Sequence, residues 1–170
     1  MRLLILLLFS STLTFAQQNP YATLTYDSLV IYDFDWRSKD GRITSIYRNG
    51  KLASTIKKSV TLPAKEAQEL SIKIGSTKSY GNITAACFDP HFGMVYYENG
   101  KVKEYITICL ACNYPRPSLE IPARDQGAEE YEGEVYYTRT GFSKSFRTYL
   151  NNLKKKYDFS ALMTKSDMFD

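Results

Sequence analysis

The chain has 170 residues, with 22 lysines and arginines against 18 aspartates and glutamates, a formal net charge of +4. That excess is too small and too evenly spread for a nucleic-acid binder. Hydrophobic residues make up 44%, including 14 tyrosines and nine phenylalanines, which excludes a disordered chain and suits one domain with a single core.

Residues 1–16 read as a signal peptide. Arg2 supplies a positive start, Leu3 to Phe9 an apolar run, and Thr14-Phe15-Ala16 a small-residue cleavage site. The run is too short for a transmembrane helix and no stop-transfer segment follows, so no membrane span is expected after cleavage. Export places the mature chain, Gln17 to Asp170, in the periplasm or outside the cell. It reads as a single domain with a loose tail at Ala161 to Asp170.

A strand is expected from Ser28 to Trp36. Its alternation puts Val30, Tyr32, Phe34 and Trp36 on an apolar face and Leu29, Ile31, Asp33 and Asp35 on the other. A first hairpin, Arg42 to Ile56, turns at Asn49-Gly50, the type I′ signature. Pro63 suits the first turn of a helix that buries Ala67, Leu70 and Ile74 and stops at Gly75. Asn82-Ile83-Thr84 matches a glycosylation sequon, a motif common by chance.

A second hairpin turns at Asn99-Gly100, with strands at about Gly93 to Tyr97 and Val102 to Cys109. Its IYRNGKLASTI-like pattern (YYENGKVKEYI) reflects convergence on a good hairpin rather than duplication. Asn113 to Gly133, with three prolines and an acidic tip, reads as a long loop, and Glu134 to Thr138 as a short strand. Ser143 caps a last helix whose apolar face is Phe146, Tyr149, Leu150, Leu153 and Tyr157. Lys144, Arg147, Lys154, Lys155 and Lys156 are read as a solvated face. The expected fold is α+β: a twisted, mainly antiparallel sheet from two Asn-Gly hairpins, with two helices packed on it.

The second hairpin gathers the soft chemistry of the chain: all three cysteines, Cys87, Cys109 and Cys112, and the only histidine, His91. A two-residue turn pairs Glu98 with Lys101. Extending that register sets Cys112 opposite Cys87, puts Cys87, His91 and Cys112 on one face, and points Cys109 away. Pro90 and Gly93 are places where the register can slip.

Three chemistries compete. The first is a structural disulfide in an oxidising compartment, Cys87–Cys112, with Cys109 left as a buried thiol. The second is a zinc-like Cys3His site of Cys87, His91, Cys109 and Cys112, in which Cys87-x3-His91 and Cys109-x2-Cys112 carry ligand spacings. The third is thiol redox chemistry through Cys109-Leu-Ala-Cys112. Its place after a strand is the wrong context for a working CxxC, which normally opens a helix. His91 has no G-x-S-x-G, Walker or H-E-x-x-H motif around it, so no catalytic residue is assigned.

The segment CFDPHFGMVYYENGKVKEYITICLAC, with GFSKSFRTYLNNLKKKY after it, resembles a family of exported bacterial proteins without assigned function. Their shared pattern is Cys-Phe-x-Pro-x-His or a near variant, a hairpin, Ile-Cys-x-x-Cys, and a serine-initiated helix. Here Cys87-Phe88-Asp89-Pro90-His91 lacks the residue between proline and histidine. The resemblance covers roughly the second half of the mature chain. It implies export and one domain, and no activity. The expected function is a non-enzymatic binding or envelope-associated module with an unidentified protein, peptide or glycan partner and no cofactor. The alternative is a zinc- or thiol-dependent activity at the cysteine cluster.

Overall fold

The computed structural model describes residues 19–160. The expected signal peptide, 1–16, and the expected tail, 161–170, lie outside the described residues. In chain order the elements are β1 (Ser28–Phe34), β2 (Arg37–Ser38), β3 (Gly41–Arg42), β4 (Tyr47–Arg48), β5 (Lys51–Leu52), β6 (Ile56–Thr61) and α1 (Ala64–Ile74). There follow β7 (Tyr80–Asn82), β8 (Phe92–Glu98), β9 (Lys101–Cys109), β10 (Tyr114–Pro117), β11 (Asp125–Tyr131), β12 (Glu134–Arg139), β13 (Gly141–Phe142) and α2 (Lys144–Lys156). The fold is α+β. Its main sheet is antiparallel, with strands in the order β10-β9-β8-β1-β6.

β1 lies between β8 and β6, so both of its edges are paired, and apolar clusters cover both of its faces. Leu29 and Ile31 join Phe92, Met94, Tyr96, Ile106 and Ile108 in a cluster with Ala67, Leu70 and Ile74 of α1 and Phe146, Leu150 and Leu153 of α2. Tyr32 and Phe34 pack with Val95 and Ile46 on the opposite face. The sequence pattern assigned only the Val30–Phe34 face to the core. Leu29 and Ile31 are in fact fully buried, because the two helices cover that face of the sheet.

The first hairpin does not join the main sheet. Its arms are the two-residue strands β4 and β5, which pair with each other while Ile46 turns down onto the sheet. Asn49 and Gly50 both take positive φ, 52° and 76°, as a type I′ turn requires. Ile46 fits because Gly93 lies beneath it: a Cβ there would sit 2.5 Å from Ile46 Cγ1. The Ile46 N–H donates to Thr107 Oγ1 at 2.8 Å, so the buried contact leaves neither group unpaired.

The stretch read as a long loop is structured. It contains β10, a 3-10 turn at Pro122–Arg124, and β11, which pairs with β12. β10 escaped the pattern reading because it is an edge strand of four residues carrying Pro115 and Pro117, which only an edge tolerates.

The helices match their sequence signatures with two exceptions. In α1, Ala67, Leu70 and Ile74 are buried, and Gly75 is the C-cap. In α2, Ser143 Oγ accepts the Phe146 N–H. The exceptions are Arg147 and Lys154, expected on a solvated face, which are 8% and 0% exposed because they share the core-facing side of α2 with Phe146, Leu150 and Leu153. Lys154 Nζ lies 5.7 Å from the centre of the Phe92 ring. On β1, Asp33 pairs with Phe92 and shares the helix-facing side of the sheet. Lys154 Nζ and Asp33 Oδ1 are both buried without a hydrogen-bond partner among the described residues. Asp33 Oδ2 accepts the Ser160 N–H at 2.9 Å and its Oγ–H at 2.6 Å.

Burial pushes the Lys154 ammonium down to about 8, against the pull of Asp33. Between pH 8 and the ordinary lysine value, the unfolded chain binds a proton that the folded chain has released, so stability rises with pH in that window. Tyr21, Tyr80 and Tyr96 act oppositely: burial raises all three, and stability falls once their unfolded counterparts ionise near pH 10. Thermal unfolding followed from pH 7.5 to 9.5 should show melting temperature climbing relative to a Lys154→Met variant. Parallel curves would place the lysine in water.

Candidate functional site

The cysteines meet at the corner where β9 turns into β10. The hairpin register begins as expected, with Glu98 opposite Lys101 and Tyr97 opposite Val102. A bulge then shifts it between Tyr96 and Tyr97, so Ile108 faces Phe92 rather than His91. The strand ends at Cys109, and Cys112 belongs to the turn that follows. The expected facing is therefore corrected: Cys109 does not point away. The sulfurs of Cys87, Cys109 and Cys112 all lie within 4.8 Å of one another.

Asn113 makes this turn. It takes a φ of 63°, which asparagine tolerates better than other side chains with a Cβ. Its N–H donates to Leu110 O at 3.2 Å, closing the turn. Its Nδ2 donates to Ile83 O at 2.9 Å and to Phe142 O at 3.1 Å. Its carbonyl accepts the Phe142 N–H at 3.1 Å. One buried residue thus ties the β9–β10 corner to the segment after β7 and to β13. The sequence reading passed over it. The signal was present in the order Cys112-Asn113-Tyr114-Pro115, a left-handed-tolerant residue just ahead of a proline-bearing strand.

The irregular segment 83–91 lies over this corner. Ala85 N–H donates to Cys112 O at 3.0 Å. Tyr114 Oη donates to Cys87 O at 2.8 Å. Phe88 packs with Cys109, Cys112 and Tyr114, its ring 5.0 Å from that of Tyr114. The Arg116 guanidinium lies over the other side of Phe88 at 3.9 Å. The Asp89 carboxylate pairs with Arg42. These contacts bring the Cα of Cys87 to 5.6 Å from that of Cys112, while Cys109 lies 5.3 Å from it, and both separations suit a disulfide. A sulfur closes one bridge, so Cys112 has two candidate partners.

The environments of these partners differ. Cys87 is exposed, whereas Cys109 and Cys112 are 0% exposed. Cys109 Sγ lies 3.3 Å from the Asp89 carbonyl oxygen and accepts the Cys112 N–H at 3.2 Å. The geometry thus brings both partners to Cys112 without choosing between them.

His91 does not belong to the mutually close group of sulfurs. Its Nδ1 lies 3.2 Å from Phe34 O, and its carbonyl accepts the Phe34 N–H at 3.3 Å. The imidazole thus secures the end of β1. Of the expected Cys3His set, the structure brings three members together and holds the fourth at the sheet end.

A second feature lies at the opposite end of β8. Residues 21–29 and the start of α1 enclose a groove of about 450 Å³, lined by Tyr21, Leu24, Tyr26, Leu62, Gln68 and Ser71 among others. Ser71 Oγ donates to Ala67 O at 2.8 Å. With that proton committed, Ser71 accepts from Tyr26 Oη at 3.3 Å and Tyr96 Oη at 3.2 Å. The Tyr26 and Tyr96 rings meet edge to face at 5.0 Å. Tyr26 is half-buried. Composition showed the tyrosines, but not which of them would line one concavity.

Replacing Asn113 by alanine removes both Nδ2 bonds and leaves a Cβ residue in the left-handed region. The expected loss is about 2–4 kcal/mol by denaturant unfolding. Asn113→Gly relieves the backbone but not the bonds, and should recover part of it. Equal stability of all three proteins would remove the corner from this account.

No family model matches the chain, and searches of the curated proteins and of the solved structures found no match.

Proposed function

We propose that this is an exported bacterial protein, periplasmic or secreted, that works as a non-enzymatic binding or envelope-associated module. In this reading the cysteine cluster staples the central hairpin, and the groove beside α1 takes the ligand. The observation that carries it is that groove. It combines a volume in the range of ligand sites with the half-buried ring of Tyr26, whose hydroxyl is fixed by Ser71. Aromatic faces beside polar hydroxyls suit a sugar ring or an extended peptide. The signal-peptide pattern of residues 1–16 and the resemblance of the cysteine hairpin to exported proteins support the compartment. No helix among the described residues is long and apolar enough to cross a membrane.

A zinc-bound form is the second reading, favoured by the mutual closeness of three sulfurs. Cys87, Cys109 and Cys112 would hold the ion as thiolates, leaving one coordination position for another donor.

The groove reading predicts that the mature protein retains members of a glycan array or peptide library. Tyr26→Ala and Gln68→Ala should each weaken a hit about 10-fold or more, roughly 1.4 kcal/mol. Binding that ignores both substitutions would move the ligand elsewhere on the surface.

A further inference from the structure

We infer that Cys87 and Cys109 exchange for Cys112, and that the exchange delivers a thiol to the surface at Cys87, where it forms mixed disulfides with disulfide-bearing molecules. This rests on the staple reading above. Cys112 is within bridging range of both residues, through Cα separations of 5.6 and 5.3 Å, and all three sulfurs share one cluster. The partners reach Cys112 from different directions. Cys87 comes from the irregular segment before β8, and Cys109 from the end of β9. Neither approach requires the sheet to move.

Cys109 Sγ receives the Cys112 N–H at 3.2 Å, which favours the thiolate, and lies 3.3 Å from the Asp89 carbonyl, which with burial favours the resting thiol. The Cys109 sulfur, losing its proton to bulk water when segment 83–91 lifts, attacks Cys112 Sγ. The Cys87–Cys112 bond breaks and its electron pair leaves on Cys87 sulfur. One disulfide is lost and one formed, so no external oxidant or reductant enters. The displaced thiolate is at an exposed position, while the attacking thiol began fully buried. Water therefore solvates the charge that leaves and not the charge that arrives. In a second step the Cys87 thiolate attacks an external disulfide R–S–S–R, forming Cys87–S–S–R and releasing R–S⁻.

The two bridges also differ in what they constrain. Cys87–Cys112 spans a sequence separation of 25 and Cys109–Cys112 one of 3. The longer loop restricts the unfolded chain more, so exchange loosens segment 83–91 relative to the stapled form.

The test uses the oxidised full mature chain in its folded state, with dithiobis(nitrobenzoic acid) as the external disulfide and peptide mapping after acid quench. Before the reagent, the map should show Cys87–Cys112. After it, about one equivalent of coloured thiolate should be released, with the adduct on Cys87 and the bridge at Cys109–Cys112. Cys109→Ser should lower the release at least about 10-fold. Where that variant loses its cooperative unfolding transition, Cys109→Ala and the wild-type map decide. An adduct on Cys109 with Cys87–Cys112 intact, or no adduct until denaturation, overturns the exchange and leaves the staple standing. A bridge at Cys109–Cys112 from the outset also overturns the exchange. Three adducts and no bridge overturn the staple itself.

Discussion

The structure depends on the turn at Cys112-Asn113. It is where β9 ends, β10 begins, β13 docks and segment 83–91 is held down. A sheet corner of this kind exposes backbone groups that ladder pairing no longer satisfies, and burying them unpaired costs about 1–3 kcal/mol each. Asn113 resolves the problem by acting as an extra length of backbone: its side chain donates twice and its main chain bonds on both sides. The cysteines stand at disulfide distance from Cys112 at the same place. Neither works alone. Without the left-handed turn Cys112 would continue along β9, and without Cys87 the irregular segment would be held by Phe88, Tyr114 and a few hydrogen bonds.

The same sheet carries a less settled interaction. Asp33 and Lys154 are both buried where β1 meets α2, and each keeps a polar atom without a hydrogen-bond partner among the described residues. Replacing such pairs by apolar residues is often neutral or stabilising. Its value here is geometric: Asp33 also captures Ser160 N–H and Oγ–H. The chain beyond α2 is thereby bound to the centre of the sheet. The cysteine corner lies at one end of β8 and the groove near the other.

Much of this was legible in the residue order. Both Asn-Gly turns, both helices, their apolar faces, the Ser143 cap and the nearness of the cysteines follow from local chemistry. What was missed has identifiable causes. The orientation of Cys109 was lost because β9 ends at Cys109 and Cys112 lies in the turn that follows, where strand alternation no longer sets the facing, while a bulge at Tyr96 and Tyr97 shifts the pairing partners by one. β10 was lost because prolines hide an edge strand. Lys154 was misplaced because a run of three lysines reads as a wet face, whereas a long aliphatic stem packs readily against Phe92. The groove depends on residues distant in sequence, Tyr26, Leu62 and Ser71, and no local pattern joins them.

The central claim is that the three cysteines form a staple around Cys112. Intact-mass counting of reactive thiols in the native, metal-retaining protein tests it most directly, with and without chelator. A staple predicts no more than one thiol in each condition and no bound metal after denaturing release. Three thiols that are protected until the chelator is added would contradict it and establish a thiolate metal site instead.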